Sequence, residues 1–132
     1  MGAWGIGSFD NDDAADWVYE LEESSGAEAI RTALQAISPD AYLEAPECSS
    51  ALAAAEVVAA LKGHPLATLP PEIVTWVADS NVEVDDELLS AALMAIHRIE
   101  TESELRELWQ ETDDFNAWLA TLNDLQLRLG GP

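Results

Sequence analysis

An alanine-rich apolar stretch near the middle of the chain constrains the fold more than any other feature. Residues 51–61 contain a single polar side chain, that of Glu56. A helix that is apolar on all sides is typically buried, and small side chains let neighbouring helices approach closely. The sequence therefore predicts a central helix that runs from about Glu47 to Lys62, ends at Gly63 and is covered by other helices.

Apolar residues recur at helical spacing along the rest of the chain. Ala14, Trp17 and Leu21, for example, fall at i, i+3 and i+7, which places them on one face of a helix. Patterns typical of strands are nearly absent, because the alternation at residues 81–84 is too short for a sheet. We therefore expect an all-α chain that forms a single compact domain of six or seven helices over residues 1–132.

Short polar motifs predict where several of these helices begin. Asp10 is the expected N-cap of the first helix, with Asp13 at its third position, and Asp85 is expected to cap the fifth helix. Two S/T-x-x-E capping boxes, Ser25–Glu28 and Thr101–Glu104, predict the starts of the second and sixth helices.

The charge of the chain limits the classes of partner that it can bind. The sequence has 26 acidic and 5 basic residues, which gives a formal net charge of −21. Such a surface repels nucleic-acid phosphates and anionic lipids, so neither nucleic acid nor membrane is an expected partner. The remaining partners are cations and basic protein surfaces. Alternatively, the charge serves only solubility or adaptation to high salt.

Cysteine usage and the N-terminus favour a cytoplasmic protein. Cys48 is the only cysteine, which excludes an internal disulfide, and no signal peptide is visible. Cys48 could be paired with His64 or His97 as a nucleophile and its base, but no oxyanion-hole motif accompanies them. We therefore expect no catalytic residue, no metal and no cofactor.

The N-terminal segment is the most unusual local motif. Residues 1–5 read MGAWG, and Phe9, residues 11–14 (NDDA) and residues 16–17 (DW) follow, as do the later stretches at residues 42–46 and 53–60. Together these stretches resemble a family of small bacterial proteins catalogued only as domain of unknown function 4259. The resemblance is firm over the first half of the chain. It implies a single-domain protein and carries no activity.

The N-terminal segment and the central helix supply the candidate binding residues. They are Trp4, Phe9, Asp10, Asp12, Asp13, Asp16 and Glu56. A structural interpretation places the aspartates at the first helix's N-terminus, where they suit the helix dipole, and docks Trp4 and Phe9 on the body beside Trp17. A functional interpretation is a Ca²⁺ or Mg²⁺ site, although the spacing does not fit an EF-hand.

Glu56 has two interpretations. The favoured one places it on a narrow solvent stripe of the central helix. In the other it is buried, and it then needs a partner such as Arg31 or a tryptophan indole, because an unpaired buried charge is costly.

The leading functional hypothesis is a non-enzymatic, acidic protein-binding module that neutralises a basic protein partner. One alternative is a metal-assisted hydrolase that uses Asp10, Asp12, Asp16, Glu44 and Glu56. A second alternative is a solvated acidic domain with no electrostatic partner. An enzyme needs carboxylates that converge in a pocket, whereas a binding module displays them on its surface.

Overall fold

The fold is built from helices that begin and end close to the turn-forming residues of the sequence. A computed structural model describes residues 7–24, 27–37 and 42–130. Over these ranges 70% of the residues are helical, about twice the usual share, and none forms a β-strand. Within these described ranges there are seven helices, namely α1 (Asp12–Glu23), α2 (Glu28–Gln35), α3 (Ala45–Leu61), α4 (Pro71–Asp79), α5 (Asp86–Thr101), α6 (Glu104–Gln110) and α7 (Phe115–Arg128). They form one compact domain, so the predicted all-α class is confirmed.

The central helix α3 is covered by all six of the other described helices. Every residue from Ala51 to Ala60 is buried, as the alanine-rich pattern predicts. The helix begins at Ala45, two residues before the expected start, because proline is tolerated in a first turn and Pro46 stands there. It ends just before Gly63, which has a φ of +90° that favours glycine.

The outer helices turn one apolar face each towards α3 and its neighbours. In α1 this face consists of Ala14, Trp17 and Leu21, as predicted, together with Val18, and all four are buried. Each large side chain removed from water in this way contributes roughly 1.5–3 kcal/mol to stability. The opposite face of α1 is acidic and exposed, so the helix presents carboxylates to solvent while its apolar stripe fixes its position.

The first helix is capped by Asn11 and not by Asp10, so that prediction was wrong. The Asn11 side chain accepts a hydrogen bond from the backbone N–H of Ala14 at 2.8 Å. The Asp10 carboxylate instead accepts from the backbone N–H of Gly7 at 3.1 Å and closes the preceding turn. The Asp85 prediction is confirmed, because its carboxylate accepts from the N–H of Leu88 at 2.8 Å.

The predicted capping box at Thr101 was also wrong. Thr101 is the last residue of α5, and Ser103 caps α6 by accepting a hydrogen bond from the backbone N–H of Arg106. The Glu104 carboxylate accepts from the N–H of Ala45 at 2.7 Å, so it caps α3 and not its own helix. Ser25 of the other predicted box lies outside the described residues.

The helices of the described ranges are all too short or too polar to cross a membrane.

Candidate functional site

The aspartates of the N-terminal segment lie at one end of α1 but do not converge. Asp12 and Asp16 are exposed, Asp13 is half-buried in the first turn, and Asp10 faces Gly7. Across the part of the chain that the structure describes, no three His, Cys, Asp or Glu side chains are placed to hold one metal ion. The hydrolase hypothesis therefore has no ligand set among these residues.

Of the two aromatic residues expected to dock beside Trp17, only Phe9 lies within the described residues. Phe9 is half-buried and packs against the hydrophobic core, while Trp4 lies outside the described residues. Phe9 thus belongs to the surface next to α1.

Glu56 is buried inside the domain, so the expectation that it lies on a solvent stripe was wrong. Its side chain is 1% exposed, and its carboxylate pairs with the guanidinium of Arg128 at 2.7 Å. Arg128 is held in turn by Asp124 at 2.8 Å. Neither Arg31 nor an indole is the partner. The true partner stands on α7, 72 residues further along the chain.

The electrostatics of this pair follow from its burial. Burial raises the pKa of the Glu56 carboxyl above its usual range, and the neighbouring Arg128 offsets only part of that effect. Burial acts to lower the pKa of Arg128, but Glu56 and Asp124 more than compensate and raise it. Glu56 is buried at 1% exposure, so in this fold its carboxylate faces Arg128 and not the solvent.

Cys48 is not a reactive thiol in this fold. It is fully buried, and burial raises the pKa of its thiol to about 12. The nucleophile is the thiolate, so a thiol that stays protonated at neutral pH gives the Cys–His hypothesis no support.

A narrow cleft lies between α1 and the start of α4. This α1–α4 cleft has a volume of about 180 Å³. Its lining consists of Phe9, Ala15, Val18, Tyr19, Glu22, Pro70 and Glu72. Small-molecule pockets usually measure roughly 300–1,000 Å³, so the cleft is better matched to a single side chain than to a metabolite.

A wider groove lies on the other side of α1. This α1–α2–α3 groove has a volume of about 450 Å³ and carries the carboxylates of Glu20, Glu28 and Glu47. Small side chains such as Ala33 and Ser50 line it as well. No described lysine, arginine or histidine lines either the groove or the α1–α4 cleft.

The five lysine and arginine side chains make their contacts away from the cleft and the groove. Arg31 lies 3.9 Å from Asp85, Arg98 pairs with Glu102, and Arg128 pairs with Glu56. Lys62 donates to the carbonyl of Leu129 at 2.8 Å. Arg106 donates to Gln110 and lies over the ring of Phe115 at 5.2 Å. The ion pairs found among the described residues involve none of the carboxylates of α1.

Of the seven residues that line the α1–α4 cleft, only Phe9 was among the candidates from the sequence. Ala15, Tyr19 and Glu22 stand at i, i+4 and i+7, so they lie on one face of α1 next to its buried apolar face. The sequence alone could have predicted this second face. Glu72 could not have been predicted in this way, because only the packing of α4 against α1 brings it to the cleft.

A family model described as "Domain of unknown function (DUF4259)" matches residues 2–121 of the chain. The match covers the N-terminal segment and reaches into α7. No curated protein and no solved structure matches the chain.

Proposed function

We propose that this chain, which belongs to the DUF4259 family of unknown function, is a non-enzymatic module that binds a basic protein through the acidic surface around α1. One observation carries the proposal. The cleft and the groove that flank α1 are both lined by carboxylates, and no described basic residue lines either of them.

The charge distribution supports the same function. A net charge of −21 accelerates encounter with a cationic protein, and it disfavours nucleic acid and anionic membrane. Ion pairs within the described ranges engage only Asp85, Glu102, Asp124 and the buried Glu56. Most carboxylates of the described ranges are therefore free of an ion pair, and no three of them are placed to hold one metal ion.

Binding of a defined basic peptide tests the proposal. The probe is a fluorescein-labelled nonapeptide in which basic residues alternate with glycine, and an acidic nonapeptide serves as the negative control. Binding measured by fluorescence anisotropy should be specific to the basic peptide and should weaken as salt is raised, since screening acts within about 8 Å at physiological ionic strength.

Matched charge variants separate a local site from the general acidity. The variant Glu28→Gln/Glu47→Gln changes the groove, and Glu22→Gln/Glu72→Gln changes the cleft. Each should weaken binding by roughly threefold to tenfold. The control Glu111→Gln/Asp113→Asn removes the same two charges from an exposed turn between α6 and α7. Equal losses in all three would refute a site at α1 and would support a merely solvated acidic domain.

A further inference from the structure

We infer that the α1–α4 cleft is a receptor for an arginine side chain of the basic partner. This inference rests on the proposed function and specifies the chemistry that the cleft recognises. The cleft combines an apolar floor, two aromatic rings and two carboxylates in a space suited to one side chain. That combination matches a guanidinium better than an ammonium group.

The walls of the cleft come from two helices and the segment before α1. Ala15, Val18, Tyr19 and Glu22 stand at i, i+3, i+4 and i+7, so one face of α1 forms one wall. Pro70 and Glu72, at the start of α4, contribute the other wall. Each wall thereby supplies one carboxylate.

Tyr19 is the residue that favours arginine. It is 69% exposed, although a tyrosine is a large side chain that buries well. A guanidinium is planar and weakly hydrated, so it stacks on an aromatic ring while its N–H groups pair with carboxylates. The ammonium of lysine is compact and strongly hydrated, and it gains less from leaving water for an apolar cleft.

The α1–α2–α3 groove provides an internal comparison. It also carries carboxylates, but its one aromatic residue, Trp17, is 3% exposed and has almost no ring surface to offer. The groove should therefore accept lysine and arginine about equally. Any preference for arginine should arise in the α1–α4 cleft.

Two peptides of equal charge test the inference. Both alternate basic residues with glycine, and they differ only in a central residue that is arginine or lysine. The wild-type protein should bind the arginine peptide more tightly, by at most about thirtyfold, which is the factor expected if lysine makes none of the cation–π contact. Tyr19→Leu should abolish this preference and leave binding of the lysine peptide nearly unchanged, whereas Tyr19→Phe should keep the preference.

Tyr42→Leu is the matched control, because Tyr42 is also exposed and lies near Glu107, away from the cleft. Circular dichroism establishes that each variant is folded. Equal binding of the two peptides by the wild type, with losses in the cleft and groove charge variants, would overturn this inference and leave the proposed function standing. An arginine preference that survives Tyr19→Leu would also overturn it. Binding of neither peptide would overturn both proposals.

Discussion

Replacing Arg128 by methionine should destabilise the protein severely, because it leaves Glu56 buried without a counterion. The Glu56 side chain is 1% exposed, so water cannot replace the lost guanidinium. Methionine keeps much of the length and apolar volume of the arginine stem, which limits the loss of packing. The substitution therefore probes the charge of Arg128 more than its size.

The expected loss of stability depends on which partner of the Glu56–Arg128 pair is removed. Removal of one partner from a buried ion pair costs roughly 3–5 kcal/mol, a large part of the 5–15 kcal/mol that stabilises a typical domain. Glu56→Gln, in contrast, removes the buried charge and keeps a hydrogen-bond acceptor, while Arg128 keeps Asp124 as a partner. Its effect should be about 1 kcal/mol or less.

Urea denaturation followed by circular dichroism at neutral pH measures these free energies of unfolding. The double variant Arg128→Met/Glu56→Gln should recover most of the stability that Arg128→Met loses. Arg31→Met is the control, since Arg31 is 53% exposed and lies 3.9 Å from Asp85, and it should cost at most about 1 kcal/mol. A loss below about 1 kcal/mol for Arg128→Met, or no recovery in the double variant, would refute the reasoning.

Three further predictions concern the titration of Glu56, the cap of α6 and the buried thiol. Because burial raises the folded-state pKa of Glu56 above the ordinary value of 4.5, the wild type should lose stability relative to Glu56→Gln as pH rises from about 4.5 through the folded pKa. Urea titrations across that pH range measure the direction of this change, and a gain in the stability of the wild type relative to Glu56→Gln with rising pH would contradict the prediction. Ser103→Ala should lower the free energy of unfolding by roughly 0.5–2 kcal/mol, whereas Thr101→Ala should change it by no more than about 0.5 kcal/mol. Thermal melts in which Thr101→Ala is the more destabilising change would indicate that Thr101 caps α6 after all. Cys48 should react with a thiol reagent only in denaturant, and rapid labelling of the native protein would contradict its burial.

Local patterns explain which parts of the fold could be predicted. The alanine-rich stretch at residues 51–61 predicts a buried central helix, because a helix without a polar face must be covered on all sides. The apolar stripe of α1 is predictable for the related reason that its spacing defines a single face. Both predictions depend only on residues close together in the chain.

Helix starts were harder to predict, because neighbouring residues compete for the same role. Asp10 and Asn11 can both cap a helix, and the backbone N–H of Gly7 engages Asp10, which leaves Asn11 as the cap. Thr101 and Ser103 compete in the same way, and α5 continues through Thr101. A one-residue or two-residue shift of this kind depends on the adjoining turn and not on residue type.

Contacts between distant segments could not be read from the sequence. Glu56 is a lone polar residue in an apolar stretch, which indicates an unusual environment but does not identify Arg128 as its partner. The α1–α4 cleft likewise depends on where α4 packs, so Glu72 had no local motif to reveal it. The acidic character of the surface, in contrast, follows directly from composition.

The place where a basic segment binds can be measured directly by titrating the ¹⁵N-labelled protein with the arginine-centred peptide and recording amide chemical shifts by nuclear magnetic resonance. Binding at the α1 surface predicts saturable shifts that cluster at Tyr19, Glu22 and Glu72, with smaller changes at Glu28 and Glu47. Shifts spread evenly over the acidic residues, or clustered around Glu111 and Asp113, would contradict a binding site beside α1.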